Sequence, residues 1–297
     1  MRNQKTSTPP TILGLWNLEK YQPTLGAVII FATELQMLRQ IYKAEKIEVC
    51  FAGGPIPTIA NVINYLDGFQ SCFNCTNLEK QGESYAEKYL YVWPEMAEKK
   101  SAPWEVKTLS MQKIFRKTGI VPRFTLNTDM LISAKKIIRK LGTQKFSVAV
   151  HLKNAPGKKN ESNADLPHWE VFFTECRKDP NIAFVIVGND PTPKSIKNLP
   201  NVFTTFESNL ALHLGIIQIA DMFIGMASGP ANAAIFSSVP YVIFKNPKQH
   251  PNEMKSELGD SDAFPFALPT QKILRKKQSS RVFLEEFFNI KKQLTIV

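Results

Sequence analysis

The stretch Ala220-Asp221-Met222-Phe223-Ile224-Gly225-Met226-Ala227-Ser228-Gly229-Pro230-Ala231-Asn232-Ala233-Ala234 decides how this chain is read. Met222 to Gly225 is a short apolar run, the pattern of a strand buried on both faces. Small residues follow, and Pro230 fits the first turn of a helix predicted over Gly229 to Ser238. The first amides of a helix have no intrahelical acceptor, and the dipole there is positive. Ser228 adds a hydroxyl, and Gly229 lets an anion approach the backbone closely. The junction is therefore a candidate diphosphate seat. It serves equally as a plain strand-to-helix turn capped by serine.

Working outward, the same alternation repeats. Phe146 to Leu152 and Ile182 to Val187 read as strands, and Tyr241 to Phe244 as another. Between and after them, Leu166 to Arg177, Ser208 to Ile219 and Lys276 to Leu294 carry helical spacing. Upstream, Thr11 to Trp16 is a candidate first strand. A helix follows Leu25-Gly26, with Val28, Phe31, Leu35, Leu38 and Tyr42 on one face. In Lys46 to Phe51, Ile47, Val49 and Phe51 alternate with polar residues, the pattern of a strand with one buried face. Lys88 to Trp93 is a candidate strand, Val106 to Lys117 a helix, and Met130 to Leu141 lines a further helix that Gly142 ends. Regular β–α alternation predicts doubly wound parallel sheets, which bind ligands beyond the carboxyl ends of their strands.

At 297 residues the chain has room for two such domains. The fold class expected is α/β, two Rossmann-like domains with parallel sheets facing a cleft. The break at Gly119 to Arg123 places the boundary between domains 1–122 and 123–297, with Gly142 to Lys145 as a second candidate boundary.

The segment Ala220 to Phe244 resembles the nucleotide-sugar-binding motif of the heptosyltransferase-like glycosyltransferases (family 9 type, glycosyltransferase-B fold). The residues that carry the likeness are Ala220-Asp221, Phe223-Ile224-Gly225, Ser228-Gly229-Pro230, Val239-Pro240 and Val242-Ile243-Phe244. Val148 to His151, Leu166 to Trp169 and Phe184 to Gly188 match the order of the donor domain. Leu25-Gly26, with its helix and the strand to Phe51, is similar to the acceptor-domain opening. About two thirds of the chain is covered. Two positions depart from the family pattern. Gly26-Ala27 stands where the family carries Gly-Asp, whose Asp is a candidate general base. Ala227 and Asn232 stand where it often has Asp and His.

The resemblance implies a metal-independent, inverting glycosyltransferase that takes a nucleoside-diphosphate sugar and needs no further cofactor. The C-terminal domain would hold the donor, and the other would present a glycan or lipid-linked glycan. Candidate diphosphate and nucleotide ligands are Ser228, Gly229 and Asn232, with Lys153 and Asn154 after one strand and Gly188 and Asp190 after the next. Lys158 and Lys159 are further candidate cations, and His213 a candidate for the base or ribose pocket, although a histidine in an apolar helix is commonly a packed residue. Glu34 is the nearest acidic residue after the missing Asp and so the candidate general base; an ordinary exposed helical glutamate fits the same position.

Lys and Arg outnumber Asp and Glu by 37 to 26, a formal net charge of +11. The excess favours an anionic partner: nucleotide, nucleic acid or acidic lipid. No zinc-finger or RNA-binding signature accompanies it, so nucleic acid is not the expected partner. Lys272 to Lys277 is either a solvated face or a contact with acidic membrane. No apolar run approaches the ~18–20 residues of a membrane span. The opening Met1-Arg2-Asn3-Gln4-Lys5 has no apolar signal core, so the protein is expected in the cytoplasm, at most peripheral at the inner membrane face. Four cysteines fit a reducing compartment. The lone Cys72-Phe73-Asn74-Cys75 lacks a second ligand pair for zinc, and Asp260-Ser261-Asp262 sits in a polar loop rather than at a strand end. Trp169, Phe172 and Phe173 read as core.

Three other functions fit parts of the pattern. A non-catalytic protein that kept the nucleotide site would account for Ala27 and Ala227. A nucleotide-sugar epimerase uses the same fold. A nucleic-acid module would rest on charge alone.

Overall fold

A computed structural model of the chain describes residues 9–75, 85, 88–94, 107–142, 145–155, 161–205 and 209–295. The chain divides into two compact units, Met1–Asn127 and Thr128–Val297.

In the N-terminal unit, β1 (Thr11–Asn17), β2 (Lys46–Ala52), β3 (Phe69–Cys75) and β4 (Tyr91–Trp93) form one parallel sheet in the order β3-β2-β1-β4. Helix α1 (Leu25–Tyr42) crosses from β1 to β2. Thr24 caps it by accepting a hydrogen bond from the Ala27 amide at 3.3 Å. Lys43 closes it in the left-handed conformation, with its amide donating to the carbonyls of Arg39 and Gln40. Phe31, Leu35 and Leu38 are buried, as the helical face requires. A 3₁₀ turn, Thr58–Tyr65, follows β2, and α2 (Lys107–Thr118) follows β4. Gln36 of α1 fixes two distant segments. Its Nε2 donates to the carbonyls of Asp67 and Thr125, and its Oε1 accepts from the Thr125 amide.

The C-terminal unit opens with α3 (Thr128–Arg139). Its strands are β5 (Phe146–His151), β6 (Ile182–Ile186), β7 (Val202–Thr204), β8 (Met222–Met226), β9 (Tyr241–Phe244) and β10 (Gln271–Leu274). All are parallel, in the order β10-β9-β8-β5-β6-β7. The chain runs outward from β5 through β6 and β7, then returns to lay β8 on the other side of β5. The strand order therefore reverses between β5 and β8, which makes this the topological switch point.

Crossover helices are α4 (Leu166–Cys176), α5 (Lys194–Lys197), α6 (Leu210–Ile219), α7 (Ala231–Ile235) and α8 (Pro251–Leu258), and α9 (Ser280–Thr295) follows the last strand. One core layer lies between α4, α9 and the sheet. Trp169 packs against Phe283 with centroids 4.4 Å apart, and Phe172 meets Phe184 edge to face at 5.4 Å. Trp169, Phe172 and Phe173 are fully buried, each side chain contributing about 1.5–3 kcal/mol by removal from water. Gln278 joins this layer to the loop after β5. Its Oε1 accepts from the Asp165 amide and from Trp169 Nε1, and its Nε2 donates to the Asn163 carbonyl.

Among the described residues, no helix is long and apolar enough to cross a membrane. Cys72 and Cys75 both lie on β3, where positions three apart project to opposite faces, so the pair is not a chelate. Asp260, Ser261 and Asp262 are exposed in the turn after α8.

Candidate functional site

The carboxyl ends of β5, β6 and β8 bring together residues far apart in the chain. His151 is the last residue of β5 and is almost fully buried. Its Nε2 lies 3.1 Å from Asp190 Oδ2, in the loop after β6. A carboxylate only accepts, so Nε2 carries the proton and donates. On the other side of the ring, Nδ1 lies 2.8 Å from Ser228 Oγ, in the loop after β8. The result is a hydroxyl, an imidazole and a carboxylate in one line, held by three neighbouring strands. Asp190 and Ser228 are half-buried, so both outer groups reach solvent while the ring does not.

Two glycines make room for the ring and its backbone. Gly188 sits at φ +92°, territory denied to most residues, and a Cβ there would sit 2.5 Å from His151 Cδ2. A Cβ on Gly225 would sit 2.7 Å from the His151 carbonyl oxygen on the adjoining strand. The loops are tied down as well. The second Asp190 oxygen accepts from the Asn154 amide at 3.2 Å, and Asn154 Nδ2 donates to the Pro191 carbonyl at 2.6 Å.

The hydrogen bond from His151 is the main reason that the Asp190 carboxyl is held below the usual carboxylate range, against a partial upward push from burial. Lys153 lies close enough to Asp190 to lower it further, and its Nζ donates to Ser162 Oγ. Lys245, directly after β9, is pushed down by burial and secondarily up by Glu257 and Glu253, with Lys153 lowering it. Two lysines, one carboxylate, one imidazole and one hydroxyl thus stand at one end of the sheet, a set suited to holding an anion.

His213 of α6 is buried and does not face solvent. The Gly188 amide donates to its Nδ1 at 3.0 Å, so Nε2 carries the proton and donates to Thr205 Oγ1 at 2.7 Å. This histidine braces the turn that carries Gly188 and Asp190.

The helix after Ser228 is shorter than the expected Gly229 to Ser238. It spans Ala231–Ile235 and ends where Ser237 Oγ donates to the Ala234 carbonyl. The amides of Asn232 and Ala233 donate to the carbonyls of Gly229 and Pro230. Those two amides are therefore engaged within the turn, so of the expected backbone donors over 228–232 the Asn232 amide is taken, and the Ser228 side chain stands on the same turn against His151. Gly229 and Asn232 are half-buried on the same turn. Lys158 and Lys159 lie outside the described residues. Glu34 is fully buried within α1, not on the helix surface, so its carboxylate does not meet a hydroxyl arriving from solvent.

Sequence reasoning singled out Ser228, Gly188, Asp190, Lys153 and Asn154 by their places after strands, and the structure puts them at one sheet end. It missed His151 and Lys245. Both end or follow an apolar strand run, and their position at a carboxyl strand end of a parallel sheet is the signal that marks them.

No family model matches the sequence, and no curated protein matches it. Solved structures do. The chain is similar to the ADP-heptose LPS heptosyltransferase II of E. coli, at 12% identity and TM-score 0.62, over 96% of this chain and 99% of that one. It is similar to E. coli heptosyltransferase WaaC, solved with ADP, at 10% identity and TM-score 0.55, over 94% and 99%. A glycosyl transferase family 9 protein from Veillonella parvula DSM 2008 matches at 12% identity and TM-score 0.53, over 95% and 89%. At this identity the likeness is one of fold. The fold is that of the glycosyltransferase-B structures resembled by the sequence, with a parallel sheet in each unit.

Proposed function

We propose that the chain is a glycosyltransferase that takes a nucleoside-diphosphate sugar as donor and transfers the sugar, with inversion, to a glycan or lipid-linked glycan. The observation that carries this reading is the line Ser228–His151–Asp190 at the switch point of the C-terminal sheet, in a fold similar to that of heptosyltransferases. Ligands of doubly wound sheets bind at that point. Ser228 donates to the diphosphate, while Lys153 and Lys245 offset the charge that develops on the departing nucleotide. This role is proposed to need neither a divalent ion nor another cofactor. The N-terminal unit serves the acceptor. The basic balance and the exposed Lys276 and Lys277 support a cytoplasmic protein that touches an acidic membrane surface.

The test is calorimetry with ADP, the nucleotide held by one similar structure, and with UDP, GDP and CDP. The expected result is saturable binding of at least one, unchanged by a chelator. Failure of all four to bind at millimolar concentration overturns the reading.

One observation favours a second reading, a protein that binds the nucleotide sugar without transferring it. Ala27 replaces the family's candidate base, and Glu34 is fully buried. Donor binding with no turnover in the presence of acceptor mixtures would select this reading.

A further inference from the structure

Ser228 has one hydroxyl proton, and His151 decides where it points. Nε2–H is committed to Asp190. In the neutral ring Nδ1 is therefore a bare acceptor, and at 2.8 Å it takes the Ser228 proton. The hydroxyl then offers only lone pairs to anything bound beyond it. Protonation at Nδ1 reverses the bond. The imidazolium donates to Ser228 Oγ, and the serine proton becomes available to an anion. The same proton also pairs the Asp190 charge, which otherwise repels that anion. Burial of the ring strengthens the Nδ1–Oγ bond, because water does not compete for it.

We propose that His151 is a proton-linked positioning residue: the site takes up its diphosphate together with one proton from solvent, which turns the Ser228 hydroxyl from the ring toward the ligand. The inference rests on the donor-site reading above and adds its control by pH.

Among the described residues, the charged and titratable neighbours are Asp190, Lys153, Lys245 and His213. Asp190 faces the ring from the loop after β6 and favours the imidazolium. Lys153, from the loop after β5, acts on both Asp190 and Lys245 and opposes it. Lys245, after β9, carries its own counter-charges in Glu253 and Glu257 of α8. His213 stands behind Gly188 with both nitrogens engaged. A bound diphosphate adds negative charge on the Ser228 side and tips the balance toward the protonated ring.

The experiment is ADP titration by calorimetry near pH 7.5, in two buffers of different ionisation enthalpy, which gives the protons taken up on binding. ADP titrates by itself, so the quantity read is the difference between the wild-type chain and His151→Asn. The Asn amide nitrogen occupies the Nδ1 side and donates to Ser228 at every pH. Wild type is expected to take up as much as about one proton more than the variant. Its affinity is expected to fall by up to about tenfold per pH unit as pH rises, while that of His151→Asn stays flatter. Should the variant not fold, NMR of the wild-type His151 ring with and without ADP reads the same change directly as a raised titration midpoint. Binding with no excess proton uptake, or with an unmoved ring titration, overturns the inference and leaves the donor-site reading standing. If none of ADP, UDP, GDP and CDP binds, the donor-site reading fails and the inference with it.

Discussion

His151 Nδ1 and Ser228 Oγ lie 2.8 Å apart although 77 residues separate them in the chain. The contact exists because β8 returns to pair with β5, with His151 opposite Gly225 in the ladder. Three residues after Gly225 the chain turns Ser228 back over the ring. The switch in strand order that defines the sheet is thus also what assembles the polar site.

Ser228→Ala separates binding from folding. Ser228 is half-buried, and its hydrogen bond to His151 is worth about 1 kcal/mol to stability. A hydrogen bond to a charged diphosphate is worth about 1.5–3 kcal/mol, or roughly 10–100-fold in affinity. The variant is expected to unfold within about 1 kcal/mol of wild type in urea and to bind ADP at least about tenfold more weakly. Equal affinities would remove Ser228 from the site.

Gly188→Ala acts on the ring from the other side. The backbone at φ +92° disfavours any side chain, and the new methyl would lie 2.5 Å from His151 Cδ2 and 2.7 Å from Nε2. The buried ring cannot retreat without leaving Asp190 or Ser228. Strain and overpacking together are expected to cost about 2–4 kcal/mol, read as a lower midpoint in urea. A midpoint equal to wild type would show that the ring has room to spare.

The fold was legible where strands are apolar throughout, because β5, β6, β8 and β9 are buried on both faces and flanked by turn residues. It was illegible at the sheet margins. Strand β3 carries Gln70, Ser71 and Asn74 on an edge that is only half covered, so it lacks an apolar run. Strand β10 begins with Gln271 and Lys272 inside a basic cluster. Gln271 is nonetheless buried, with Nε2 donating to the carbonyls of Ser237 and Val239, an arrangement that only tertiary structure creates. The site follows the same rule. Residues in polar loops after strands stood out, whereas His151, closing the apolar run Val148-Ala149-Val150, gains its meaning only from the pairing of β5 with β6 and β8. Glu34 misled for the opposite reason: its spacing fits a helix surface, but α1 is covered on that side as well.

In the N-terminal unit, Gln36 and Arg39 both reach Asp67 from α1, with unequal expected worth. Arg39 pairs with an Asp67 carboxylate that is 57% exposed, so that ion pair contributes at most about 1 kcal/mol. Gln36 is buried and satisfies three backbone groups. Gln36→Leu takes the side-chain partner from the Asp67 carbonyl and the Thr125 amide, while the Thr125 carbonyl still accepts from the Asp67 amide, at an expected cost of about 2–4 kcal/mol in urea unfolding, several times that of an Asp67→Asn change. A Gln36→Leu chain as stable as wild type would mean that water or backbone movement replaces all three bonds.

Asp190 makes a pH prediction whose sign follows from its partners. The hydrogen bond from His151 is the largest cause of its lowered titration in the folded protein, with the ring's charge, the Asn154 amide and Lys153 adding to it. In the unfolded chain the carboxyl returns to about 3.9. A group lowered by folding stabilises the fold fully above its unfolded value, and that contribution is lost as pH falls toward the folded value. Asp190→Asn removes the titration and loses the charge-assisted bond. Wild type is therefore expected to be the more stable of the two at neutral pH, with the gap narrowing below about pH 4 as its carboxyl protonates. Urea midpoints of both chains from neutral pH to about pH 3 measure this. A gap that stays constant through the acid range would show that the bond to His151 does not depend on the Asp190 charge.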